Sequence, residues 1–340
     1  MTGSRTLARP CIAIDVMGGD QGAAVTVAGA FDLLERADLR LVGDPAVIAA
    51  ERQRIDAYGP QHGSVIVVPA FERLLPGEPL NDVLRHKPDA SMRRALEEVA
   101  QGRADAVVSA GDTAALMALA RRLLKPLPDV HRPAICKAMQ GVAGPFWMLD
   151  LGANLACTAD ELHQFARMGA ELARAVGCVA TPRVALLNIG TEPTKGPPHI
   201  RAAAERLNSD PSFTYVGFIE ANRLFRGEAD VVVTDGFAGN VALKAMEGAA
   251  WMAGQLLRRS FEGLGLIEQA GLALARTRIT SLRRDLNPER YNGASLVGLS
   301  GVVVKSHGGA DQEGFASAVE EAVREVETGL VARLRQGQRG

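Results

Sequence analysis
Ile12-Ala13-Ile14-Asp15, stopping before Gly18-Gly19-Asp20, is a short β-branched run that ends on a polar residue beside glycine. The chain repeats this pattern. Val107-Val108-Ser109 precedes Gly111-Asp112, Met148-Leu149-Asp150 precedes Gly152-Ala153-Asn154, and Leu186-Leu187-Asn188 precedes Gly190. Val231-Val232-Val233-Thr234-Asp235 leads to Gly236, and Val302-Val303-Val304-Lys305 leads to Ser306-His307-Gly308-Gly309. Apolar β-branched runs bounded by glycine suit buried parallel strands, and most of these are followed by helical apolar spacing. The pattern predicts a three-layer α/β/α fold with a mostly parallel sheet. The carboxyl ends of its strands would open on one crevice, the place where such sheets bind ligands. Asp, Asn, Ser, Lys, His and many glycine N–H groups then collect along that rim.

With 340 residues and 47% hydrophobic content, the chain can bury a large core or two lobes around a cleft. The expected unit is one α/β domain over 8–335. The net charge of −1 argues against a polyanion binder, and 4% aromatics leave little material for stacking bases, so no nucleic-acid partner is expected. Four cysteines (Cys11, Cys136, Cys157 and Cys178) are widely spaced with no CxxC pair, which fits reduced thiols packed inside a cell. No apolar signal core follows Met1, and no uncharged stretch reaches the roughly 18 residues of a membrane span. A cytoplasmic protein is expected.

Outward from these strand ends, helices are predicted over Val25–Leu34, Ala90–Gln101, Thr113–Leu124, Ala159–Val176 with Thr158 as N-cap, about Val241–Phe261, and Asp311–Leu334. Further strands are predicted at Leu39–Gly43, Ser64–Val68 and Phe213–Phe218. The Gly- and Pro-rich stretches Pro69–Pro88 and Gly141–Pro145 read as surface connections or cleft edges.

Spacing removes several chemistries. Gly190 is followed by Lys195 and then Gly196, which inverts the order a P-loop requires. There is no G-x-S-x-G nucleophile elbow, Met17–Gly22 is not G-x-G-x-x-G, and no histidine heads an H-x-x-x-x-D box. HExxH and metal-spaced clusters are absent from the sequence, so neither metal nor cofactor is expected. The strongest positive signal is Asp230 to Lys244, where a strand feeds the turn Asp235-Gly236-Phe237-Ala238-Gly239-Asn240. A helix starting near Gly239 or Asn240 would make this turn an anion site. Asn240 reads equally as a ligand donor or a plain N-cap. Lys195, on the loop Asn188–Gly196, and Lys305 with His307 are the cations and imidazole at strand ends; His307 reads equally as a structural histidine.

Taken together, these residues and their order resemble the PlsX family of acyl carrier protein:phosphate acyltransferases. The matching blocks are IAIDVMGGD (12–20), KPDASM (87–92), ADAVVSAGDTAALMA (104–118), RPAI (132–135) and LDLGAN (149–154). LLNIGTEPTKG (186–196), ADVVVTDGFAGNVALKAMEG (229–248), YNGASLVG (291–298) and GVVVKSHGGAD (301–311) follow in order. The resemblance covers nearly the whole chain. It implies a fold like that of phosphate acetyltransferases and the isocitrate dehydrogenase group, with a deep cleft between lobes, and a homodimer. It also implies attack of inorganic phosphate on an acyl carrier protein thioester, giving an acyl phosphate for phospholipid synthesis. Phosphate is a competent nucleophile and a thiolate a good leaving group, so positioning and charge stabilisation would suffice.

On that basis the expected catalytic residues are Lys195, Asn240, Lys305 and His307. The expected substrate-binding set is Asp15, Gly18, Gly19, Asp20, Ser109, Asp112, Thr113, Asn154, Asp235, Gly236 and Gly239. Among these, the aspartates 15, 20 and 235 would orient loops and lysines rather than touch phosphate. The family usually has Asn and Gly where this chain has Asp112 and Ala115, and proline where it has Ala23. Cys136-Lys137-Ala138-Met139-Gln140 also fits the family poorly. An acid at 112 would repel phosphate if it faced the site, or would cap the helix starting at Thr113. The rival readings are a phosphate acetyltransferase-like enzyme using coenzyme A thioesters and a catalytically weak acyl-carrier-binding scaffold.

Residues 246–290 read as a helical hairpin excursion. Met246, Ala249, Ala250, Ala253, Leu257 and Phe261 share one helical face suited to core or dimer packing. Beyond it, Gly263-Leu264-Gly265-Leu266-Ile267 forms an apolar turn, and residues 258–284 carry arginines at 258, 259, 276, 278, 283 and 284 against Glu262 and Glu268. Such a tip suits a second subunit, the acidic carrier protein, or the inner membrane surface beside a membrane-bound glycerol-3-phosphate acyltransferase.

Overall fold
The computed structural model describes residues 9–55, 63–260 and 292–337. Its strands are β1 (Cys11–Asp15), β2 (Asp38–Gly43), β3 (Val65–Pro69), β4 (Ala106–Ser109), β5 (Ala134–Gly141), β6 (Gly144–Leu149), β7 (Arg183–Leu187), β8 (Thr214–Ile219), β9 (Val231–Val233), β10 (Ala294–Val297) and β11 (Val302–Lys305). They form one sheet in the order β3-β2-β1-β4-β11-β10-β5-β6-β9-β7-β8. Pairing is parallel throughout both flanks. The three antiparallel joins are β11–β10, β10–β5 and β5–β6, in the middle of the sheet.

The helices are α1 (Ala23–Phe31), α2 (Pro45–Ile55), α3 (Leu80–His86), α4 (Ser91–Ala100), α5 (Thr113–Leu123), α6 (Ala159–Ala175), α7 (Pro198–Ser209), α8 (Gly236–Arg259), α9 (Gln312–Glu327) and α10 (Leu330–Gly337). Apolar faces of α1 and α9 cover one side of β1, β4 and β11 around Phe31 and Phe315. The faces of α4 and α5 cover the other side through Leu96 and Leu116. On the second flank α6 packs Leu162, Phe165 and Leu172 over β6 and β9, with α7 and α10 beside it. Helix α6 starts where the sequence predicts: Thr158 accepts from the Glu161 N–H while Glu161 accepts from the Thr158 N–H, a reciprocal capping box.

The structure corrects several boundaries. The stretch 69–88 contains α3, and Gly141–Pro145 is the turn of an antiparallel hairpin, β5–β6, which turns at Val142 and Ala143. The closing helix is two helices, α9 and α10, divided at Gly329, whose φ of 65° breaks the helical path. Helix α8 begins at Gly236, not at Gly239 or Asn240, because Asp235 caps it by accepting from the Ala238 N–H at 2.8 Å.

The single rim expected from the strand pattern is two rims facing each other. The three antiparallel joins reverse the chain direction an odd number of times, so β1–β4 and β11 run one way and β6–β9 the other. Register places Lys305, Ala294, Lys137 and Met148 in one row across β11, β10, β5 and β6. Ser109 ends β4 beside Lys305, and Leu149 ends β6 one residue from Met148. Both sets of strand ends therefore meet at this row, and the loops of two lobes enclose it. That meeting line is the cleft.

Candidate active site
Two adjoining cavities occupy the cleft. The larger, about 600 Å³, is lined by apolar Met117, Ile135, Leu151 and Leu243 together with Asn240, Lys137 and Glu247. The smaller, about 240 Å³, is polar: Gly19, Asp20, Arg73, Gly111, Asp112 and Gly308 line it. Thr113, Lys244, Lys305 and His307 face both and form the shared wall. Arg73, Lys244 and Lys305 outnumber Asp20 and Asp112 in the smaller space, which suits a small anion.

Lys305 reaches this wall because β11 ends there. Its ammonium donates to the Ala110 carbonyl at 3.4 Å and to the Ser306 carbonyl. Burial pulls its pKa down to about 8, against the opposing pull of Asp112, Asp15 and Asp20. His307 is exposed, and its Nδ1 accepts from the Gly309 N–H at 3.1 Å, which leaves the Nε2 edge for a ligand. Burial lowers its pKa, and Lys244, Lys305 and Lys137 add to this while Glu247 opposes it. Asn292 fixes the turn: it accepts from the His307 N–H at 2.9 Å and donates to Ser306 Oγ at 2.8 Å and to the Gly314 carbonyl at 2.9 Å.

Asp15 and Ser109 lie beneath the cleft and line neither cavity. Asp15, 1% exposed, accepts from Ser91 Oγ and Ser109 Oγ, each at 2.6 Å, and Ser109 in turn accepts from the Gly111 N–H at 3.1 Å. Burial raises the Asp15 pKa and the two hydroxyls lower it. The group thus sets the position of Gly111, at the smaller cavity. Gly18 packs over the Asp15 carboxylate, where a Cβ would come within 2.7 Å of Oδ2. Gly19 reaches the cavity, and its carbonyl accepts from Arg73 Nη2 at 2.6 Å. The Asp20 N–H is bound to the Gly308 carbonyl at 2.7 Å, tying two loops of the first lobe.

Asp112 both caps and faces the site. Its Oδ1 accepts from the Ala115 N–H at 2.8 Å, and its charge is the leading attraction on Lys305. Thr113 opens α5 at the shared wall.

On the second lobe, Asn240 lines the larger cavity, facing Gly152, whose φ of 131° is one that L side chains rarely adopt. The proposed anion site in the α8 turn is largely closed: the Gly236 N–H goes to the Asn154 carbonyl at 2.8 Å, the Ala238 N–H to Asp235 and the Gly239 N–H to the Asp235 carbonyl at 2.9 Å. Gly239 is required by contact, since a Cβ there would collide with the Asp150 carbonyl. Asn154, 6% exposed, donates to the Pro133 carbonyl at 2.8 Å and to Asp150 Oδ2 at 2.9 Å, away from the cleft. Asp235 Oδ2 lies 3.9 Å from His199 Nε2. Lys195 is exposed on its loop and lines neither cavity; Asn188 holds its carbonyl at 3.1 Å, leaving the ammonium in solvent.

Four contributors escaped the sequence reading. Asp150, 0% exposed, accepts from the N–H groups of Ile135, Ala153 and Asn154 at 2.7–3.1 Å and so builds the loop that carries Gly152. Its signal was present, an acid at a strand end beside glycine. Lys244 stands four residues after Asn240, on the same helical face. Arg73 and Lys137 carry no local signal. Among the described residues no group of three or more His, Cys, Asp or Glu is arranged to hold a metal ion.

The model of the fatty acid synthesis protein family matches residues 11–333. The chain belongs to that family. A phosphate acyltransferase of Pseudomonas aeruginosa is 48% identical over 331 residues, 96% of this chain and 97% of that relative. A phosphate acyltransferase of Alcanivorax borkumensis is 48% identical over 320 residues, 93% of each chain. Among solved structures, a phosphotransacetylase from Streptococcus pyogenes is similar at TM-score 0.63 and 17% identity, covering 94% of each chain. A phosphotransacetylase from Staphylococcus aureus is similar at TM-score 0.60 and 14% identity, with the same coverage. These solved structures share the fold, as the sequence pattern predicts for this fatty acid synthesis family member.

Proposed function
We propose that this protein transfers a fatty acyl group from an acyl carrier protein thioester to inorganic phosphate, yielding an acyl phosphate for phospholipid synthesis. The observation that carries the reading is the paired cavity, polar and cationic on one side and apolar on the other, with Lys244, Lys305 and His307 between. Phosphate occupies the smaller cavity against Arg73, Lys244 and Lys305. The thioester lies in the larger one, its carbonyl toward Asn240. A phosphate oxygen attacks that carbonyl, Asn240 donates to the developing oxyanion, and the collapse expels the thiolate. Lys305 balances charge on phosphate and thiolate; the His307 Nε2–H donates a hydrogen bond to the departing sulfur, which leaves as the thiolate. Lys195, exposed and outside both cavities, has no part in this scheme. Asp15 and Asp150 act through the loops they hold.

The test is direct: purified protein, acyl carrier thioester and phosphate, with acyl phosphate trapped by hydroxylamine and quantified. Coenzyme A thioesters in a parallel arm separate the phosphate acetyltransferase-like alternative. No product from either donor would leave the scaffold reading.

Helix α8 leaves the lobes after Met246: Trp251 is 68% exposed, and Met252 and Leu256 are exposed too. This supports a homodimer built on α8. The tip at 263–267 and the arginines beyond Arg259 lie outside the described residues. No described helix is long and apolar enough to cross a membrane. The location proposed is the cytoplasm, with the tip at the inner membrane surface beside the acyltransferase that consumes the product. Sedimentation with anionic vesicles, wild type against a Leu264→Glu, Leu266→Glu variant, tests the attachment.

A further inference from the structure
Helix α5 carries the wall of the larger cavity out to the protein surface. Thr113, Ala114, Met117, Ala118 and Arg121 line that cavity from successive turns, on one side of the helix. Thr113 stands on the wall shared with the smaller cavity, and the 1.5 Å rise per residue sets Arg121 about 12 Å farther along. Arg121 and Arg122 are exposed in the last turn, and Lys125, just past the end of the helix, is exposed too. Among the described residues no carboxylate lies within ion-pair distance of any of these cations. The run from Thr113 to Pro128 holds Arg121, Arg122 and Lys125 and no acid, in a chain of net charge −1.

The patch is held in place by its backbone. The Ser300 N–H donates to the Lys125 carbonyl at 3.0 Å and the Leu127 N–H to the Gly298 carbonyl at 2.9 Å, which ties the segment after α5 to the β10–β11 turn. Cations in the last turn of a helix suit its dipole, yet their charge still points into solvent, where a partner can meet it. Between 113 and 130 no large apolar side chain is exposed, so the patch has nothing to insert into a lipid layer. Its chemistry fits an acidic protein face. The reach agrees as well. A phosphopantetheine arm extended at about 1.2 Å per bond spans about 16 Å from phosphate to sulfur. With the sulfur at the shared wall beside Thr113, the arm's phosphate falls near Arg121 and Lys125.

We propose that Arg121, Arg122 and Lys125 form the docking surface for the acidic face of the carrier protein, with Arg121 beside the phosphodiester of its arm. The proposal rests on the acyl-transfer reading for the identity of the donor.

The experiment compares wild type with the double variant Arg122→Glu, Lys125→Glu, at two exposed positions that line neither cavity. Initial acyl phosphate formation is measured with the acyl carrier protein thioester and with the matching acyl-pantetheine thioester, which has neither protein nor phosphate. In the variant, KM for the carrier donor is expected to rise at least about tenfold at low salt, with kcat and the acyl-pantetheine kcat/KM within about twofold of wild type. Wild-type KM for the carrier donor should climb with ionic strength, and the variant's should change little. An unchanged carrier KM overturns the proposal, and so does an equal loss with both donors. A second arm needs no turnover: fluorescence anisotropy of labelled holo carrier protein, with Arg121→Gln added to the series. Each variant should weaken carrier binding at least about fivefold, and equal affinity in wild type and variants overturns the proposal. Unchanged carrier affinity alongside lost sedimentation with anionic vesicles would assign the patch to a membrane surface instead. Wild type that binds the carrier through these residues yet forms no acyl phosphate would reject the reaction while sustaining the docking surface.

Discussion

Replacing Lys305 by methionine should make the protein more stable and nearly inactive. Burial brings the Lys305 ammonium from the usual 10.5 to about 8. An unfolded chain keeps the lysine proton to about pH 10.4. Between these values the unfolded state binds more protons than the folded one, so stability rises with pH from about 8 to about 10.4 and is lowest below 8. A shift of that size corresponds to about 3 kcal/mol at 1.36 kcal/mol per pH unit, and solvent contact at the cleft reduces it to about 1–3 kcal/mol. Methionine keeps the aliphatic stem and has no charge to desolvate. Lys305→Met should therefore gain about 1–3 kcal/mol at pH 7 and less than about 1 kcal/mol at pH 10. The same ammonium close to a phosphate oxygen is worth about 2–3 kcal/mol in the transition state, a loss of roughly thirtyfold to a hundredfold in turnover. The assays are guanidinium unfolding at the two pH values and initial acyl phosphate formation. Wild-type turnover should also fall as pH rises through about 8, where Lys305 loses its proton, and Lys305→Arg should lack that limb. A Lys305→Met protein that is less stable at pH 7, or that retains a third of wild-type turnover, would refute the reasoning.

Asp112→Asn keeps a side-chain cap for α5 but removes the charge facing Lys305, so KM for phosphate should fall severalfold in steady-state kinetics while the melting temperature stays put. Asp150→Ala orphans buried N–H groups of Ile135 and Asn154 and should cost about 2–5 kcal/mol in urea unfolding; a cost under 1 kcal/mol would dismiss the network as a support. Asn240→Ala should lose about a hundredfold in turnover with normal circular dichroism, whereas Lys195→Ala, outside both cavities, should keep near-normal turnover; near-normal turnover in Asn240→Ala would remove its assignment. Charge on the exposed face of α8, as Trp251→Glu with Leu256→Glu, should convert a dimer to monomer in analytical ultracentrifugation.

The parallel flanks were legible because each strand is short, β-branched and closed by glycine, and each cap is a local hydrogen bond. Thr158 with Glu161 needs only neighbours a few residues apart. The ordered blocks gave the family for the same reason: they are contiguous runs of sequence. The central strands were not legible. Ala134–Gly141 contains Cys136, Lys137 and Gln140 without a clean alternation, and Ala294–Val297 is only four residues long; both are strands because partners flank them on either side. Their antiparallel joins turn the second lobe around, and this long-range pairing decides which loops face which.

By itself, then, the sequence determined the layered α/β fold, the residue types at the strand ends and the family, since all of these are written in local periodicity and contiguous motifs. Tertiary structure alone decided which of those residues share a space. Lys137, Lys244, Arg73 and Lys305 come from four separate stretches, and only cross-strand register and lobe packing bring them to one cleft. The same packing leaves Lys195 in solvent and sinks Asp15 and Asn154 beneath the surface. Distance in space between charges, and the water removed from around them, are properties of the packed chain. No local pattern encodes them.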